Sequence, residues 1–237
     1  AKACHDLDLL RWLIGTPCLR LTSYGGLMHF RPENAPPGAT ARCTDGCALV
    51  RSCPYSAPRI YLERFGARAA WPNTVLTAHP DPGTLARALA EGPYGRCVYH
   101  CDNDVADHQV VAFEFEGGVT ASLTVSAFTE RNTRTLHIMG THGELHGDME
   151  SGEIILQGFG QDGAERIQAG GGLGHREADE ALILDFLAQR EAARAGAPAS
   201  DALTALDASI ESHVMAFAAE ASRRGAGAVE LASFLPA

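Results

Sequence analysis

The sequence lacks long apolar stretches and clusters of basic residues, and each absence excludes a class of protein. No segment approaches the roughly 18 to 20 apolar residues that a helix needs to cross a bilayer, and the chain does not start with an apolar signal-peptide core. The 237 residues include 19 lysines and arginines against 29 aspartates and glutamates, a net charge of -10. Because nucleic-acid binders need clustered cations, we expect a cytoplasmic protein that binds neither nucleic acid nor membrane.

The signatures of several enzyme classes are also missing. There is no G-x-S-x-G elbow and no H-E-x-x-H pair, so a hydrolase finds little support. No G-x-G-x-x-G opens a helix within a βαβ unit, and Gly170-Gly171-Gly172 also stands outside such a unit, so we expect a mobile loop at these three glycines. The first residue is not Met, and we expect that an upstream segment has been removed.

The spacing of apolar residues separates helices from strands. A helical period covers residues 4–14, 82–90, 177–195 and 202–224. A period of two predicts strands over 18–30, 96–101, 108–115, 119–128, 135–139, 144–149 and 153–157. We therefore expect one α+β domain over residues 1–237, a largely antiparallel open sheet with helices packed on one face.

One face of this sheet is expected to stay free of helices. It carries small polar side chains at Thr120, Ser122, Thr124 and Ser126. An antiparallel sheet can leave such a face open to water or to a second subunit. This face is the predicted surface for a homo-oligomer.

Seven cysteines, an odd number without a secretion signal, suit a reducing compartment. Cys43, Cys47 and Cys53 lie close together in a cysteine- and proline-rich loop over 31–56, which suggests a structural metal ion such as zinc. Zinc takes four ligands, and the candidates for the fourth are Cys4, Cys101, His29 and His100. An iron–sulfur cluster would need the same number of ligands. The alternative is a loop of free thiols, with Cys18 and Cys97 filling core positions on strands.

Several segments resemble the C-terminal domain of the Gfo/Idh/MocA oxidoreductase family. They are Lys2 to Leu13 (K-A-C-H-D-L-D-L-L-R-W-L), Asp102-Asn103-Asp104, Asp107-His108-Gln109 and Ile138 to Leu145 (I-M-G-T-H-G-E-L). The resemblance covers nearly the whole chain. It implies that NAD or NADP is bound by an N-terminal domain that this chain lacks, and that the substrate is a sugar, inositol or related polyol.

The resemblance also implies roles for two residues at the start of the chain. His5 occupies the position of the family's acid/base histidine, and an imidazole that titrates near neutrality suits proton removal from an alcohol. Lys2 is expected to bind a substrate hydroxyl or stabilise charge, or else to be a solvated terminal lysine. Ala1 stands where many family members carry an aspartate, so the usual Asp/His pairing is missing.

A dense polar cluster between two predicted strands is the expected substrate site. Asp102, Asn103, Asp104 and His108 can bind vicinal hydroxyls of a polyol, or they can form an Asx-rich turn. His175, after the glycine loop, corresponds loosely to a substrate loop of the family.

Two functions follow from this reading. The first is the substrate-binding and oligomerisation half of an NAD(P)-dependent oxidoreductase, inactive without a nucleotide-binding domain. The alternative is a non-catalytic oligomeric carbohydrate-binding or scaffold domain, which gains support if the natural protein begins here.

Overall fold

The computed structural model of the chain describes residues 3–66, 68–169, 175–196 and 206–234, without the side chains of 175–178, 207, 208 and 226. Its helices are α1 (Cys4–Ile14), α2 (Asn73–Leu76), α3 (Pro82–Glu91), α4 (His175–Arg194) and α5 (Leu206–Ala221). Its strands are β1 (Cys18–Gly26), β2 (His108–Phe115), β3 (Thr120–Ser126), β4 (Thr135–Met139), β5 (Gly143–Asp148), β6 (Glu153–Gly158), β7 (Glu165–Gln168) and β8 (Val229–Glu230). The predicted α+β class is confirmed.

The strands form two antiparallel sheets of four. The first sheet has the order β3-β2-β1-β8, and the second has the order β4-β5-β6-β7. The two are separated in the chain by residues 127–134, which lie between β3 and β4 and are not in a strand. The sequence predicted one meander, and the structure divides it at this connection.

The hydrophobic core lies between the first sheet and two helices. Its buried residues are Leu7, Cys18, Leu21, Val111, Phe113, Phe115, Val214, Met215, Ala218, Ala219, Val229 and Leu231. Alternate residues of β2 point inward, as the period of two predicted, and α1 and α5 cover that face. Removal of this apolar surface from water is the main stabilising contribution, at about 25 cal/mol per Å².

A polar link joins both covering helices to the first strand. The Arg11 guanidinium pairs with Glu211 at 2.6 Å, and the second oxygen of Glu211 accepts the backbone N–H of Cys18 at 2.7 Å. α1 ends at Gly15, whose φ of 79° is in the left-handed region that favours glycine. The chain can therefore turn directly from α1 into β1.

Helix α3 begins as the sequence predicted. The Asp81 side chain accepts the backbone N–H groups of Gly83 and Thr84 at 2.8 and 3.0 Å, and the Thr84 hydroxyl accepts the N–H of Asp81. This capping box satisfies amides that have no partner within the helix. It fixes the start of α3 at Pro82.

Two predicted strands are corrected by the structure. The strand expected over 18–30 ends at Gly26, because the next amides, those of residues 28–30, bond to a side chain rather than to a neighbouring strand. The strand expected over 96–101 is a turn region that has one bridge, between Arg42 and Arg96. The short strands β7 and β8 were not predicted.

The second sheet and α4 are exposed. No residue of β4, β5, β6 or β7 is buried, and the predicted apolar stripe of α4 faces solvent at Leu182, Phe186 and Leu187. No helix in the described part of the chain is long and apolar enough to cross a membrane.

Candidate functional site

A buried carboxylate holds together the end of β1 and the start of β2. Asp107 has a side chain that is 2% exposed, and its Oδ2 accepts the backbone N–H groups of Met28, His29 and Phe30 at 3.0, 2.7 and 3.3 Å. The backbone N–H of Asp107 donates to the carbonyl of Gly26 at 3.0 Å. Burial alone would raise the pKa of Asp107, but the bond from His108 and the three amides lower it to about 2.

The other oxygen of this carboxylate orients a histidine. His108 Nδ1 lies 2.8 Å from Asp107 Oδ1, and the imidazole is about half-buried. A carboxylate on Nδ1 favours the tautomer that carries its proton there and leaves Nε2 as an acceptor. Asp107 and His108 therefore form an ordered hydrogen-bonded pair at one end of the first sheet.

The remaining residues of the predicted polyol cluster are exposed. Asp102 pairs with Arg96 at 2.8 Å, and this hydrogen bond is the main reason that the pKa of Asp102 is lowered. Asp104 interacts electrostatically with Arg223 beyond α5. Asn103 is exposed. The structure shows no hydrogen bond that joins Asp102, Asn103 or Asp104 to His108 within the described residues.

The other predicted site residues stand apart from this pair. His5 is exposed in the first turn of α1 and has no hydrogen-bond partner in the described part of the chain. Its neighbour Asp6 pairs with Arg134, ahead of β4. Lys2 and residues 170–174, which include the predicted glycine loop, lie outside the described residues, as does the side chain of His175, although its backbone begins α4.

An aromatic cluster lies next to the Asp107 carboxylate. It consists of His29, Phe30, Tyr55, Tyr99 and Phe128, whose ring centroids lie 5.0 to 6.4 Å apart in the contacting pairs. The Tyr99 hydroxyl also lies 3.1 Å from His29 Nε2. Edge-to-face aromatic pairs of this kind stabilise a loop beyond their buried area. They hold the loop whose amides bind Asp107.

Behind this cluster, four cysteines line a small cavity of about 20 Å³. They are Cys43, Cys47 and Cys53 from the predicted loop and Cys97 from the turn before β2. Burial chiefly raises the pKa of Cys43, and the nearby thiols of Cys97, Cys47 and Cys53 raise it further. The sequence placed Cys97 in a strand core and did not include it in this cluster.

None of the four residues that the sequence offered as a fourth metal ligand lines this cavity. Cys4 begins α1, and Cys101 donates its thiol to the Cys97 carbonyl at 3.2 Å. His29 belongs to the aromatic cluster, and His100 is exposed. Cys97 was missed because the apolar alternation of Cys97 and Tyr99 looks like a strand.

A second group of possible metal ligands lies on the second sheet. His137 and His146 are cross-strand partners whose rings stack at 4.0 Å, and their Nε2 atoms lie 2.9 and 3.8 Å from Glu144 Oε2. The hydrogen bond from His137 lowers the pKa of Glu144. This group was not predicted, although opposite positions on paired strands could have indicated it.

Comparison with known proteins gives a consistent result at low identity. No protein-family model matches the chain. The curated Bacillus subtilis (strain 168) protein named "Putative oxidoreductase YteT" is 22% identical over 147 residues, 61% of this chain and 33% of that protein.

Solved structures match nearly the whole chain, and two of them illustrate the match. An NAD binding oxidoreductase from Klebsiella pneumoniae superposes with a TM-score of 0.55 at 15% identity, over 97% of this chain and 49% of that one. A levoglucosan dehydrogenase in complex with NADH and levoglucosan superposes with a TM-score of 0.52 at 16% identity, over 96% and 48%. The chain thus spans about half the length of these structures. Its fold is that of one half of these NAD-binding oxidoreductase structures.

Proposed function

We propose that this chain is the substrate-binding and oligomerisation half of an NAD(P)-dependent oxidoreductase that acts on a sugar, inositol or related polyol. The main support is the match of 96% of the chain to about half of a levoglucosan dehydrogenase that binds NADH and its sugar substrate. Gly158, Gly160 and Gly163 have the G-x-G-x-x-G spacing, but they lead from β6 to another strand, β7, and do not open a helix, so the nucleotide would be held by another domain.

The chemistry assigned to this half is proton transfer at the substrate. When a secondary alcohol becomes a ketone, a base must take the hydroxyl proton, and the nucleotide supplies the hydride acceptor. His5 is exposed in the first turn of α1, so its imidazole would be accessible to a substrate and could take that proton. Lys2 would bind the same hydroxyl or stabilise its charge.

Substrate binding is assigned to the polar segment ahead of β2. His108 presents Nε2 because Asp107 holds Nδ1, and this nitrogen would accept a hydrogen bond from a sugar hydroxyl. Asp102, Asn103 and Asp104 are exposed and would bind neighbouring hydroxyls. His175 would contribute from the start of α4.

The open face of the first sheet is assigned to a second copy of the chain. Tyr24 on β1 is 74% exposed, and its cross-strand partner Val110 is 44% exposed. Thr124 of β3 continues the same row. These side chains form an apolar and polar strip that helices do not cover, which suits a homo-oligomer interface.

Histidine NMR tests the assignment of the substrate site. Titration with levoglucosan and with myo-inositol should shift the His5 and His108 resonances, whereas NADH should shift neither. A His108→Gln variant should lose its own signal and bind the polyol more weakly. The absence of any shift from either polyol at high concentration would contradict the proposal.

A turnover assay separates the enzyme from the alternative, a non-catalytic carbohydrate-binding or scaffold domain. A dinucleotide-binding half would be supplied in fusion, and polyol oxidation would be followed by NADH absorbance. We expect turnover that falls roughly 10²-fold in a His5→Ala variant, a typical acid/base contribution. Polyol binding without turnover would favour the alternative.

A further inference from the structure

We infer that Cys43, Cys47, Cys53 and Cys97 form a structural zinc site that joins two segments of the chain. All four line one small cavity, in which the other lining side chains are mostly apolar. Four thiolates are a common ligand set for structural zinc, which is four-coordinate and tetrahedral. The inference is independent of the proposed oxidoreductase function.

The size of the cavity suits a single ion. Its volume of about 20 Å³ is close to that of one water molecule, for which roughly 10 to 15 Å³ is sufficient. Among the described residues, one group of possible metal ligands has ligand atoms that all lie within 4.8 Å of one another, namely His137, Glu144 and His146. The four sulfur atoms are therefore more widely spaced, and zinc binding would draw them together to roughly 3.8 Å, the separation that a Zn–S bond of about 2.3 Å requires.

The backbone already brings the two cysteine-bearing segments together. The N–H of Cys43 bonds to the Gly95 carbonyl at 3.0 Å, and the N–H of Cys97 bonds to the Ala41 carbonyl at 2.9 Å. Zinc would add a coordinate link between the same two segments. This link would stabilise a loop that has little regular structure of its own, since metal binding and folding are coupled.

The cavity also contacts the surrounding backbone, because the Cys47 thiol donates to the Gly38 carbonyl at 3.9 Å. Hydrogen bonds around a metal site orient its ligands. Neither a carboxylate nor a histidine lines the cavity, so the chemistry favours a closed structural ion over a catalytic one.

The zinc site would support the Asp107 and His108 pair indirectly. Tyr55 and Tyr99 line the cavity, and both pack against His29, whose amide binds Asp107. The metal thus would steady the loop that positions this carboxylate. Loss of the metal should loosen the loop without unfolding the first sheet.

Metal analysis of the purified 237-residue chain tests the inference. We expect one zinc per chain, lost in Cys97→Ser and kept in Cys18→Ser, a control that removes a buried thiol from the core outside the cavity. His146→Gln should also keep its zinc, because it alters only the second group of possible ligands. Absence of metal, iron with sulfide in its place, or zinc retained by Cys97→Ser would overturn the assignment.

Thiol alkylation provides a test that needs no variant. In the zinc-loaded chain Cys43, Cys47, Cys53 and Cys97 should be protected, and a chelator should expose these four together while the reactivity of Cys4 stays unchanged. Mass mapping of the labelled peptides would show this pattern. Equal reactivity with and without chelator would contradict the zinc site.

Discussion

The two sheets have the same number of strands and the same antiparallel pairing, yet only the first has a core. Its residues Leu21, Phe113 and Phe115 are buried beneath α1 and α5. The second sheet has no buried strand residue, and Met139 on it is 76% exposed. Pairing of strands alone therefore does not make a stable unit, and a covering layer decides where the stability lies.

The largest expected effect on stability comes from a leucine-to-alanine substitution, made once in each sheet so that the two sheets can be compared. Leu21→Ala removes a side chain that is 2% exposed, and it should lower the free energy of unfolding by about 2 to 5 kcal/mol. Leu156→Ala removes one that is 38% exposed on β6, and it should cost less than about 1 kcal/mol. Urea denaturation of both variants measures this, and equal losses would show that the second sheet is covered in solution.

A smaller effect is expected where each sheet has a hydrogen-bonded aspartate. Asp107→Asn weakens a buried network and should cost about 1 to 3 kcal/mol. Asp148→Asn, on the second sheet, should cost less because this carboxylate is more exposed. Thermal unfolding at neutral pH would compare the two, and a larger loss for Asp148→Asn would reverse the ranking.

The Asp107 carboxylate predicts that the stability of the folded state depends on pH. The folded pKa of Asp107 is about 2, below the ordinary 3.8, so the folded state binds this proton less readily than the unfolded state. Its contribution to stability is complete above pH 3.8 and is lost as the pH falls through about 2. Acid titration of wild type should show this loss, and in Asp107→Asn it should be reduced. An unchanged acid profile would exclude Asp107 as its source.

The smallest effect on stability is expected on the open face of the first sheet. Tyr24→Lys alters a side chain that is 74% exposed, so stability should change by less than about 0.5 kcal/mol. Sedimentation, however, should shift towards a smaller species if this face joins two copies. A wild type that sediments as a monomer would contradict the interface.

Local patterns predicted most of the fold. Helix α1 and strand β2 have the predicted bounds because their apolar residues repeat with the periods of a helix and a strand. The error at 96–101 has a physical cause. Cys97 and Tyr99 are both buried, but they line the cavity, and Tyr99 also packs in the aromatic cluster; neither faces a sheet. Alternating apolar residues can therefore mark a strand, or a turn region whose side chains face a cavity and an aromatic cluster.

The candidate site was less predictable than the fold. His108 was singled out by the sequence, but Asp107 was not assigned a role, because its three amide partners lie 77 to 79 residues earlier in the chain. Cys97 was missed because its alternation with Tyr99 looks like a strand, and its neighbours Cys43, Cys47 and Cys53 come from a loop that is distant in the sequence.

The sequence by itself determined the α+β class, the main elements and the resemblance to one half of an oxidoreductase, because periodicity, capping and motifs are encoded by neighbouring residues. Only the tertiary structure decided that the strands divide into two sheets, that a buried carboxylate orients His108, and that four thiols share a cavity. These features depend on contacts between distant segments, which form only when the core between the first sheet, α1 and α5 brings those segments together.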